Sequence, residues 1–142
     1  MGKIRKFRLR DGDRIDSYAV VGDQSLGNGW EAEVYKVREV ATAAIRAIKL
    51  VRRDTGTFSD WIHRAWFYEQ LARTGSTVRY YHMGEWYLDG YEHVTYFVLE
   101  YLNGTTLKSW AKPKRRPSAL DRVRMLSLLA GKIEVVHKRD FA

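Results

Sequence analysis

At 142 residues, with 45% apolar and 13% aromatic content, the chain is long enough to bury the core of one domain and too apolar to be a disordered polyelectrolyte. It has no Cys, which excludes disulfides and thiolate metal sites and fits a reducing cytoplasm, and its four His show no i, i+4 pairing that would suggest zinc. The net charge of +8 gathers in two runs, five Lys or Arg among the first ten residues and four in Lys112-Pro113-Lys114-Arg115-Arg116; such runs can meet phosphate backbones, but solvated tails and linkers are the simpler reading.

Residues 1–16 read as a basic lead-in. Tyr18–Leu26, Glu33–Glu39 and Ile45–Val51 carry Val, Ile and Tyr with turn residues between them, which predicts three strands. Ser59 is the expected cap of a helix from Asp60 to about Arg73, with Asp60 suited to its positive end. Thr77–Glu85 and His93–Tyr101 read as two further strands, joined through the hairpin signal Asp89-Gly90. Thr105–Trp110 is a short helix, and the Pro-flanked basic stretch 112–117 is a linker. Ser118 opens a last helix with Asp121 completing a capping box. Along that helix Val123, Leu126, Leu129, Ala130, Ile133 and Val136 form one apolar arc, and Leu128 with Val135 a second strip. The expected organisation is therefore a lead-in (1–16), an α+β unit of five antiparallel strands with one helix inserted after the third (17–103), a short helix and linker (104–117), and a long helix (118–142).

Three places carry chemistry. Gly27 and Gly29 flank the tip of a strand-turn-strand in Leu26-Gly27-Asn28-Gly29-Trp30-Glu31-Ala32-Glu33-Val34, and backbone N–H groups approach a phosphate chain closely only where side chains are missing. Alone, such a pair is more often a plain hairpin turn. In Ala47-Ile48-Lys49, alternation puts the small residue and the cation on one face of a strand. Twenty residues further on, Glu69 projects among Trp61, Ile62, Ala65, Trp66 and Ala72, where a carboxylate is costly unless a cation meets it. Lys49 is one candidate for that cation. Arg73, at i+4 on the same helix, is the other.

With Val98-Leu99-Glu100-Tyr101-Leu102-Asn103-Gly104 following in order, these strings resemble the N-terminal lobe and hinge of a eukaryotic-like protein kinase, and the resemblance extends over roughly residues 17–142. It implies an ATP site in which Leu26, Gly27, Asn28, Gly29, Ala32 and Val34 cover the nucleotide. Ala47 would lie beside the adenine and Leu99 behind it, with the backbones of Glu100 and Leu102 bonding the base. Lys49 would reach the α and β phosphates and Glu69 would hold Lys49, so these two are the expected catalytic residues. Ala32 stands where the family has a third glycine, and Arg73 where it has a buried apolar residue.

The resemblance also implies Mg2+, but the protein groups that would hold it, and the general base, are not found in this chain. His137-Lys138-Arg139-Asp140 carries one residue too many for the family's His-Arg-Asp, and no Lys or Asn follows. The expectation is the ATP-gripping lobe of a Ser/Thr-type protein kinase, cut before its catalytic loop and inactive alone. Its partners would be ATP, a protein substrate or a separate C-lobe polypeptide, and further copies of itself through the apolar helix 118–137. Other readings are a non-catalytic partner module, a fragment of a small-molecule phosphotransferase, and a basic nucleic-acid-binding domain, which no motif supports. No apolar run approaches the ~20 residues of a membrane span and no signal peptide is evident, so a soluble cytoplasmic protein is expected.

Overall fold

The computed structural model describes residues 6–52, 57–88, 92–112 and 117–138. Its strands are β1 (Arg14–Ile15), β2 (Tyr18–Val20), β3 (Gly27–Asn28), β4 (Ala32–Glu39), β5 (Ile45–Arg52), β6 (Tyr80–Leu88) and β7 (Glu92–Glu100). They form one antiparallel sheet in the order β1-β2-β4-β5-β7-β6, with β3 also paired to β4. The helices are α1 (Phe58–Arg73), α2 (Leu107–Trp110) and α3 (Ala119–His137). The α+β arrangement with a helix inserted after the third strand is as expected. Of the expected first strand Tyr18–Leu26, β2 keeps Tyr18–Val20, and β3 begins just beyond it; the two pair with opposite ends of β4, with Val21 N–H donating to Lys36 and Leu26 N–H to Val34 between them. β1 is an addition. The hairpin signal Asp89-Gly90 lies outside the described residues, as do most of the basic linker and Arg139-Asp140.

The central strands bury side chains on both faces, which is why β7 carries the apolar run Tyr96-Phe97-Val98-Leu99 and β5 has buried residues of both parities. Period-two alternation sends Tyr35, Val37, Ile48, Leu50, Val94, Tyr96 and Val98 to one face, and Val51 and Phe97 to the other. The first face is closed by residues 6–12, with Phe7 and Leu9 inserted beside Ile15, Tyr18 and Val20. The basic lead-in thus contributes Phe7, Leu9 and Ile15 to the core, while Lys6, Arg8 and Arg10 stay exposed. Its backbone is tied down as well. Phe7 N–H donates to Glu33 Oε1 at 3.2 Å, Leu9 N–H to the Tyr35 hydroxyl at 3.4 Å, and that hydroxyl donates to Glu33 Oε2 at 2.6 Å. Glu33 is thus a buried carboxylate with donors on both oxygens, the condition under which burial of a charge is tolerable. Burial and the neighbouring carboxylate push the Tyr35 phenol up to about 12.

Tyr96 donates to Asp16 at 2.7 Å and so ties the β1–β2 turn to β7. Its ring lies across Gly84, where any Cβ would stand 2.3 Å from the ring, so that position admits no side chain.

On the opposite face α1 packs through Trp61, Ala65 and Tyr68. Its cap is Thr57, two residues before the expected Ser59; Thr57 has the extended backbone a cap needs, and it exchanges bonds with Asp60 in a capping box. Those bonds hold the Asp60 carboxyl below its usual range. In α2 the cap is Thr106. For α3 the expected Ser118–Asp121 box is present. No residue of α3 is buried, Leu126 being 66% exposed, and Lys132 donates from this helix to the Gly75 carbonyl at 2.8 Å.

Because Phe7 is a core residue, Phe7→Ala is expected to destabilise the chain by about 3–5 kcal/mol, the range for burying and then deleting a large aromatic side chain. Urea unfolding followed by circular dichroism measures it, and a change under 1 kcal/mol would show that residues 6–12 are only a tail.

Candidate functional site

β4 and β5 present one shared face to an open cleft of about 620 Å3, lined by Gly27, Asn28, Gly29, Trp30, Glu31, Ala32, Val34 and Lys49. The loop over it is closed by Gly29 N–H donating to Ala32 at 2.8 Å and by the Ser25 hydroxyl donating to Asn28 at 2.7 Å. A Cβ on Gly29 would meet the Ala32 carbonyl at 3.3 Å, a close approach that favours glycine. A Cβ on Gly27 meets no protein atom within 4 Å. Nothing within the chain itself therefore demands glycine at Gly27; its missing side chain leaves the cleft open.

Strand register sets the floor. Val34, Lys49 and Phe97 are Cα partners in one row across β4, β5 and β7, and Lys36, Ala47 and Leu99 in the next row but one. Val34, Ala47, Lys49 and Leu99 consequently share a face, as alternation predicts. Of the other expected site residues, Gly27, Asn28, Gly29 and Ala32 line the cleft, while Leu26 is exposed at the start of the loop. Glu100 ends β7, its N–H donating to the Arg79 carbonyl at 2.9 Å and its carboxylate accepting from Arg79 N–H at 3.0 Å. Leu102, beyond the strand, is exposed. At that end of the shared face Lys36 places its ammonium 4.8 Å from the Tyr101 ring centre.

The expected Lys49–Glu69 pair does not form. Glu69 accepts from Arg73 Nε at 3.0 Å, with the two side chains 39% and 63% exposed, and Lys49 Nζ donates to the Tyr68 hydroxyl at 3.0 Å. The cause is the rotation of α1. Trp61 is wholly buried, its ring 6.4 Å from that of Phe97, and Tyr68 stands edge-on to Phe97 at 5.2 Å. With Trp61, Ala65 and Tyr68 facing the sheet, Ile62, Trp66 and Glu69 are turned about 100° away, and Trp66 is 59% exposed. The apolar arc is thus centred one residue earlier than the helical projection placed it. Two groups escaped the sequence reading. Tyr68 lies seven residues after Trp61, a spacing that puts both aromatics on one stripe. Glu31 is held by Arg64 of α1 at 3.4 Å, a pairing across 33 residues with no local signal.

Among the described residues no group of three or more His, Cys, Asp or Glu could hold a metal. Glu31 is the one carboxylate lining the cleft, and it already faces a guanidinium. Among the described residues the cleft lining thus offers one strand-borne ammonium, a glycine-bearing loop and an apolar floor. That set suits a ligand with an apolar part and an anionic part.

Sheet order, inserted helix and loop together define the fold of a protein-kinase N-terminal lobe. The chain is similar to the crystal structure of Rad53 residues 1–466 in complex with AMP-PNP, with a TM-score of 0.68 and 17% identity, over 87% of this chain and 31% of that one. No family model and no curated protein matches the sequence. The chain spans about a third of the length of that structure.

A double-mutant cycle separates the two ion-pair arrangements. Coupling of about 0.3–0.5 kcal/mol is expected between Glu69 and Arg73, as for exposed i, i+4 pairs, and none between Glu69 and Lys49. Coupling of 1 kcal/mol or more between Glu69 and Lys49 would restore the expected pair.

Proposed function

We propose that the chain is the ATP-binding lobe of a protein kinase of the Ser/Thr type, acting on protein hydroxyls together with groups it does not itself contain. The observation that carries this is the shared face: Val34, Ala47 and Leu99 make an apolar bed for a base, and Lys49 follows on the same strand where a phosphate chain would lie beneath Gly27 and Gly29. Lys49 would contact the α and β phosphates, and the absent side chains of Gly27 and Gly29 would leave room for them beneath the loop. With its N–H occupied, Glu100 would meet the base through its carbonyl oxygen, and Leu102 through its backbone. That the Rad53 structure is a complex with AMP-PNP, an ATP analogue, supports a nucleotide as the ligand.

Transfer of the γ-phosphoryl group needs a positioned metal and a base near the acceptor hydroxyl, roles for which the cleft lining supplies only Glu31, already paired with Arg64. We therefore assign Lys49 to binding and assign no proton transfer to this chain. Titration with Mg·ATP is expected to move the amide resonances of Gly27, Gly29 and Lys49 with affinity weaker than low-micromolar, since the base is covered on one side. Lys49→Met should abolish the shifts, and labelled ATP should transfer no phosphate to a basic protein substrate. Saturation at low-micromolar ATP, or Lys49-dependent labelling, would contradict the assignment.

Alongside nucleotide binding, α3 favours a partner-binding role. Val123, Leu126 and Ile133 on one arc, and Leu128 on the other strip, are all more than half exposed. A surface of this kind is normally covered by protein. Its occupant would be a C-lobe polypeptide or, without one, a second copy of the chain. Light scattering at micromolar concentration is expected to show a dimer or larger species that moves toward monomer when residues 118–142 are deleted. A stable full-length monomer would remove this role.

A further inference from the structure

We infer that Tyr68, rather than a carboxylate, is the residue that positions Lys49, and that the ammonium charge is thereby kept for an anion in the cleft. The Tyr68 hydroxyl accepts from Lys49 Nζ at 3.0 Å, and the ammonium also lies 5.6 Å from the centre of the Tyr68 ring. Tyr68 is itself fixed, edge-on to Phe97 at 5.2 Å and tilted against Tyr80 at 6.4 Å. Phe97 is the Cα partner of Lys49 across β5 and β7, so the anchor and its lysine rest on the same row of the sheet.

The chemistry differs from that of a carboxylate partner. A phenol orients the ammonium through its oxygen lone pair and ring face but cancels none of its charge. Among the described residues, Glu69 pairs instead with Arg73 at 3.0 Å, and Glu31 of the cleft lining pairs with Arg64 at 3.4 Å. Turning Glu69 inward would need α1 to rotate by about 100°, lifting the fully buried Trp61 from Phe97. The arrangement leaves Lys49 oriented and positively charged, which suits a polyphosphate as its counter-ion. That consequence rests on the nucleotide reading; the positioning itself does not.

The test is made on the ligand-free chain, so its failure is separate from any failure to bind ATP. The 15Nζ and 13Cε resonances of Lys49 are assigned by comparison with Lys49→Arg and followed in Tyr68→Phe and Glu69→Gln. Tyr68→Phe keeps the ring and its packing, and an unchanged Trp61 indole resonance verifies that α1 stays seated. Tyr68→Phe is expected to move the Lys49 signals toward those of solvent-exposed lysines, and to move them more than Glu69→Gln does. A Lys49 signal that ignores Tyr68→Phe, or that responds to Glu69→Gln at least as strongly, overturns the inference.

Discussion

The burial of Trp61 against Phe97 sets the rotation of α1, and the electrostatics of the cleft follow from that rotation. Removing a packed Trp from a core costs about 3–5 kcal/mol. A partly exposed ion pair contributes about 0–1 kcal/mol. No gain available from a Lys49–Glu69 contact could therefore turn the helix against its own core. Glu69 settles instead with Arg73 one turn along, where both remain in touch with water. Tyr68, carried inward on the same stripe as Trp61, meets Lys49 without disturbing the packing.

The sheet imposes a second constraint, because β5 and β7 bury apolar residues on both faces, Ile48, Leu50, Val94, Tyr96 and Val98 on one and Val51 and Phe97 on the other. α1, inserted between β5 and β6, covers one face, and residues 6–12, ahead of β1, cover the other. The N-terminal cover brings its own unpaired backbone N–H groups into the core. Glu33 and Tyr35, alternating with the cleft-facing Val34 on β4, accept them. A single strand thus presents a polar anchor to one face and part of the floor of the cleft to the other.

Charge in the cleft is arranged by exclusion as much as by attraction. Arg64 draws Glu31 toward α1. Arg73 keeps Glu69 on the outer side of the helix. What faces the open volume is an ammonium held by a neutral group, beside a glycine-bearing loop.

Strand alternation, the glycine pair, the placement of Ala47 with Lys49 and the Ser118 cap are all properties of short windows, and the sequence by itself determined them. Period two leaves little freedom: once a strand forms, its faces are assigned. Helix α1 is different. Trp61, Ile62, Ala65, Trp66, Tyr68 and Ala72 wrap so much of its circumference that several rotations bury comparable apolar area, and local rules cannot choose among them. Phe97, 36 residues beyond Trp61, chooses. The same holds for Phe7 and Leu9, whose neighbours are basic and whose apolar side chains announce burial only when Tyr35, Ile48 and Val94 are brought beneath them. Tertiary structure alone decided which residue meets Lys49, because that choice depends on contacts between segments that no periodicity connects.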